Sequence, residues 1–68
     1  MHERIMVELL RPGDLLMWAG RPSLLVAIDG KGTTCVNLTL LSPHALRVFS
    51  VGPWNWAYVV TRSSPRHG

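Results

Sequence analysis

Ser23-Leu24-Leu25-Val26-Ala27-Ile28-Asp29-Gly30-Lys31-Gly32-Thr33-Thr34-Cys35-Val36-Asn37-Leu38-Thr39-Leu40 is the stretch whose pattern decides the fold. It opens with a dense apolar run. In its middle, Asp29-Gly30-Lys31-Gly32 is a hairpin signal, because Asp-Gly favours turns that need positive φ. Its end alternates: Val36, Leu38 and Leu40 fall on one face, and Cys35, Asn37 and Thr39 on the other. Two strands joined by a turn are therefore predicted, over Ser23 to Asp29 and Thr33 to Ser42.

The same punctuation continues in both directions. Upstream, Asp14 to Ala19 reads as a strand stopped by Gly20-Arg21-Pro22. Before it, Arg11-Pro12-Gly13-Asp14 closes the first segment firmly, since the residue before proline is pushed out of the helical region. That segment, His2 to Leu10, has two readings. Ile5, Met6, Leu9 and Leu10 suit a short helix, whereas Ile5, Val7 and Leu9 suit a strand. Downstream, Pro43-His44 turns the chain into a strand over Ala45 to Val51, with Leu46 and Val48 on one face and Phe49 and Val51 on the other. Gly52-Pro53-Trp54-Asn55 reads as a tight turn, and Trp56 to Arg62 as the last strand. Ser63 to Gly68 has the composition of a frayed tail. Five short strands with tight turns predict one mostly-β domain over residues 1–68: a small closed or nearly closed barrel, its first segment open to either a short N-terminal helix or a strand. The competing architecture is an open meander that pairs its free edge with another subunit.

Length and composition explain why a partner is expected. A chain of 68 residues buries only about 60% of its unfolded surface, and such domains lean on disulfides, metals or oligomerisation. Cys35 is the single cysteine, expected as a small buried hydrophobe. His2, His44, His67 and Cys35 lie too far apart for zinc-site spacing, so no metal or cofactor is expected. Oligomerisation remains. Hydrophobic residues make up 47% of the chain and charged ones only 16%, against an ordinary charged share of about 25%. A small interior cannot absorb that surplus, and a subunit interface can.

No apolar run approaches the roughly 18 residues of a spanning helix. Glu3 and Glu8 interrupt the N-terminus where a signal peptide would need an apolar core, and a cytoplasmic setting is expected. The net charge of +3 is spread over Arg4, Arg11, Arg21, Lys31, Arg47, Arg62 and Arg66 without a patch, so nucleic acid is weakly indicated unless subunits bring these charges together. The four acids, Glu3, Glu8, Asp14 and Asp29, are terminal or in turns, where Asp bonds the local backbone. None is paired for catalysis, and a barrel this small is expected to leave little room for a pocket of about 300 Å³. No enzyme is expected. Trp54, Trp56 and Tyr58 could stack bases, with arginine planes such as Arg21 or Arg47 beside them. The favoured reading is that Trp54 and Trp56 plug a barrel end or lie at an interface; Trp18 is expected in the core or an interface.

Val36-Asn37-Leu38-Thr39-Leu40, following the Asp29-Gly30-Lys31-Gly32 turn, resembles the first signature of Sm-like proteins. The resemblance covers about two-thirds of the chain. It implies an Sm-like (SH3-like) barrel, with subunits joined into a ring through the edges of the fourth and fifth predicted strands. On that reading Phe49, Val51, Trp56, Tyr58 and Val60 form the interface. It also implies single-stranded RNA as a ligand, with Asn37 on a base and Arg47, Trp54 and Trp56 in support. Thr33 stands where the signature has an acidic residue, and Ser50-Val51-Gly52 lacks the arginine of the second signature. Pro12-Gly13-Asp14-Leu15-Leu16 with Gly20-Arg21-Pro22-Ser23-Leu24-Leu25-Val26 resembles the opening of MazF/PemK endoribonucleases, and is similar to small phage and metagenomic barrels. The leading expectation is a non-catalytic, self-assembling binding module. The alternatives are a phage-type structural or protein-binding subunit without nucleic-acid binding, and an endoribonuclease-like remnant.

Overall fold

A computed structural model describes residues 3–62. Residues 1–2 and 63–68 lie outside the described residues, and with them His2, Arg66, His67 and the expected frayed tail. Six strands are present: β1 (Glu3–Met6), β2 (Leu15–Trp18), β3 (Arg21–Asp29), β4 (Val36–Leu41), β5 (Leu46–Val51) and β6 (Trp56–Thr61). They form a single sheet in the order β1-β6-β2-β3-β4-β5, with every pairing antiparallel.

The helical reading of the first segment is not met: it is β1 followed by a 3₁₀ turn over Val7–Leu9. Both sequence readings were incomplete because the period changes inside the segment. Ile5 and Val7 follow the two-residue strand repeat, and Val7 and Leu10 then follow the three-residue 3₁₀ repeat. Ile5, Val7 and Leu10 are all buried, whereas Leu9 is thrown outward at 61% exposure.

The sheet is also not closed into a barrel, and it has six strands instead of five. For the five predicted strands alone, closure is opposed by strand direction. β6 is antiparallel to β2, and counting along the sheet makes β5 run in the same sense as β6. Closing the sheet there needs a parallel pair, which the four residues 52–55 cannot connect. β1 instead lies against the second edge of β6, pairing Glu3 with Val59 through to Met6 with Trp56. β1 and β5 are left as the free edges. Side chains bridge where the backbone does not: Trp18 on β2 meets Phe49 on β5, three strands away, with ring centroids 5.7 Å apart. The sheet is thus curled over a core of Leu16, Leu25, Val36, Leu38, Ala57 and Val59, capped by Val7 and Leu10.

Local chemistry sets the turns. β2 and β3 are joined by Ala19-Gly20, both at positive φ (52° and 79°), as a two-residue hairpin that follows the sheet twist requires. Gly30, at φ 84°, has no room for a Cβ, which would run into the carbonyl oxygen of Cys35. The 30–35 connection is held by the Thr33 hydroxyl, which donates to the Gly30 oxygen at 2.6 Å and lies 2.9 Å from the Cys35 oxygen. This bonding delays β4 until Val36. Cys35 therefore falls in the turn and is exposed, not buried as a strand position would make it.

Candidate functional site

The residues expected to act together are divided by the sheet. Asn37 and Arg47 lie on adjacent strands, Asn37 opposite Ser50 and Arg47 opposite Leu40. They are three positions apart along the ladder, roughly 10 Å, and on opposite faces. The Asn37 Oδ1 accepts the Ser50 hydroxyl at 2.6 Å. Trp54 sits in the 52–55 turn at 66% exposure, its indole lying over Gly52 where a Cβ would collide with the ring. Trp56 is on the outer face of β6, and the Arg4 guanidinium lies 4.8 Å from its ring centroid. Both tryptophans are exposed rather than plugging the sheet's interior.

The five proposed interface residues divide in the same way. Phe49 and Val51 face inward against the core cluster. Trp56 and Tyr58 face outward and are exposed, while Val60 is half-buried. The apolar residues that β5 does expose are Leu46 and Val48, at 61% and 63%. Leu46 continues a row across the outer face through Leu41 on β4 to Leu24 on β3, all three exposed. The apolar surplus seen in the composition is accordingly on the outside of the sheet.

The two free edges differ in character. β1 is four residues long, begins Glu3-Arg4 and runs directly into a 3₁₀ turn, features that blunt an edge. β5 is six residues long, carries one charge, Arg47, and has neither proline nor a register shift against β4. Of the usual protections against strand addition, it has only the single charge of Arg47.

A second feature was not foreseen. Turns that alternate along a meander emerge at the same end of the sheet, so the β2–β3 turn lies beside the β4–β5 turn. Between them runs an open groove of about 410 Å³ lined by Trp18, Arg21, Ser23, Ser42, His44 and Arg47. The expectation of little room for a pocket of about 300 Å³ is not met, because the space lies at the surface between two turns and needs no interior. The Ser42 hydroxyl accepts the Ala45 N–H at 3.2 Å and lies 3.1 Å from its oxygen, which fixes the β4–β5 turn.

The acids are placed elsewhere. Asp14 is fully buried; its Oδ2 accepts the Arg11 N–H at 2.9 Å, and its Oδ1 lies 3.5 Å from Arg62 Nε. Glu8 accepts the Gly32 N–H at 3.1 Å and ties the 30–35 connection to the 3₁₀ turn. Among the described residues no three His, Cys, Asp or Glu side chains gather as metal ligands, and no helix is long and apolar enough to cross a membrane. The fold and surfaces define a small antiparallel all-β protein with one long, sparsely charged edge and one basic groove. No protein-family model, curated protein or solved structure matches the chain.

Proposed function

We propose that the protein is a non-catalytic assembly module, Sm-like in outline, that associates with copies of itself through β5. The exposed β5 edge, six residues long with a single charge, is the observation that carries this reading. A second copy offers the same unpaired backbone groups, so one strand added to another satisfies both at once. It also brings Leu46 and Val48 of one copy against apolar partners of the next. The strand order β6-β2-β3-β4-β5, with the last strand beside the first of the five, supports the small-barrel likeness. In an Sm-like ring the neighbour would pair at the edge of β6, but β1 occupies that edge here. A two-fold β5–β5′ contact is therefore favoured, with a ring through β5 and the β1 of the next copy as the other closed arrangement. Hydrogen exchange tests this directly. Edge amides of β5 become more protected as protein concentration rises if the reading holds, and exchange at one fast rate throughout if it fails.

Single-stranded RNA is the second reading, favoured by two exposed tryptophans, Trp54 and Trp56. Each stacked base would contribute about 1–3 kcal/mol. An oligo-U titration at low salt, with Trp54→Ala and Trp56→Ala as controls, decides it. Loss of binding in these variants supports it, and no binding by the native chain removes it.

A further inference from the structure

We propose that the groove between the β2–β3 and β4–β5 turns binds a phosphate group, with a nucleoside monophosphate as the ligand class that fits. This inference does not depend on self-association or on the tryptophans at residues 54 and 56.

Charge is the first argument. Arg21, Arg47 and His44 line one groove, and none of the acids Glu3, Glu8, Asp14 or Asp29 does. Among the described residues neither arginine side chain makes an ion pair or a hydrogen bond within the chain. Arg4 and Arg62 are both engaged, with Trp56 and with Asp14 and the Leu9 oxygen. Two uncommitted guanidinium forks at one place match the tetrahedral oxygens of phosphate, which accept bidentate hydrogen bonds.

Shape is the second. About 410 Å³ falls within the range of about 300–1,000 Å³ that small ligands occupy. Trp18 supplies an apolar wall, and its tilted packing on Phe49 fixes that wall in place. A flat base could lie along it while the phosphate meets the arginines. Both turns are rigidly built, one by the two positive-φ residues Ala19 and Gly20 and the other by the Ser42 hydroxyl. The backbone walls of the groove are therefore preformed, and the ordering that binding requires is confined to the exposed Arg21 and Arg47 side chains.

Backbone amide spectra of the full chain at low salt, titrated with uridine monophosphate, provide the test. Shifts are expected at residues 18–23 and 42–47. Inorganic phosphate should move the same amides and uridine should not. Arg21→Ala and Arg47→Ala, both at exposed positions, should each weaken binding about tenfold with the rest of the spectrum unchanged. Arg21→Lys keeps the charge without the fork and should weaken it less. Oligo-U that shifts these amides at lower concentration would identify a nucleic-acid strand as the phosphate source; a monophosphate that binds as well would identify a nucleotide. The proposal is overturned if phosphate and the monophosphate shift nothing at millimolar concentration. Shifts elsewhere, or shifts indifferent to both arginine substitutions, also overturn it.

Discussion

Removing the carboxylate of Asp14 should bring the protein close to unfolding. Asp14 has no exposed surface, and its Oδ2 takes the Arg11 N–H at 2.9 Å. Its own backbone groups lock the same turn, with the Asp14 N–H donating to the Arg11 oxygen and the Leu25 N–H donating to the Asp14 oxygen. Losing a hydrogen bond to a charged acceptor, and leaving a donor without it, costs about 2–3 kcal/mol. Arg62 is one-third exposed, so its ion pair adds less than about 1 kcal/mol. Asp14→Ala should therefore cost about 3 kcal/mol. A chain of 68 residues has a total stability of about 3–10 kcal/mol. Asp14→Asn keeps an acceptor oxygen and should cost about half as much. With a urea slope near 1 kcal/mol per molar for a small domain, the midpoint of Asp14→Ala falls by about 3 M. Urea unfolding followed by far-ultraviolet dichroism measures it. A midpoint within about 0.5 M of the native chain would refute the reasoning, as would an Asn variant no better than Ala.

Three further outcomes follow from the geometry. Ala19→Gly should raise the thermal midpoint by roughly 4 °C, because a left-handed alanine costs about 1–2 kcal/mol and glycine returns part of that gain through its freer unfolded chain; calorimetry reads the shift. Leu25→Ala should cost about 2–5 kcal/mol, since Leu25 is wholly enclosed by the core, and urea unfolding would find little or no native baseline. The Cys35 thiol is exposed and should react fully with a thiol reagent under native conditions; reaction that waits for denaturant would contradict the placement of the 30–35 turn.

Much of the sheet was legible because half-buried strands write a two-residue period. Val36, Leu38 and Leu40 read inward and are the centre of the core. The separation of Phe49 and Val51 from Leu46 and Val48 was also legible from alternation. Turn chemistry was reliable where one residue decides it, as at Gly30 and at Asp14. Three things were not legible. The N-terminal strand was obscured by the change of period at Val7. The fate of Cys35 depended on the Thr33 hydroxyl holding the chain in the turn, which no periodicity records. Closure depended on the order of the strands across the sheet and on β1 taking the edge of β6, a property of topology rather than of local pattern. The groove is a fourth case. Arg21 and Arg47 are far apart in sequence, so the charges looked scattered. A signal was nevertheless present, because alternate turns of a meander share an end, and each of these two turns is flanked by an arginine.

The central claim, that β5 is the surface through which copies join, is tested most directly by solution mass. Light scattering across a range of concentrations would compare the native chain with Val48→Lys. In a two-fold pairing about Val48 that substitution sets two ammonium groups facing each other across the axis. The native protein should show a mass of two chains, falling to that of a single chain in the variant without loss of strand signal. A native protein that stays at the mass of one chain at every concentration, or an assembly that Val48→Lys leaves intact, would contradict it.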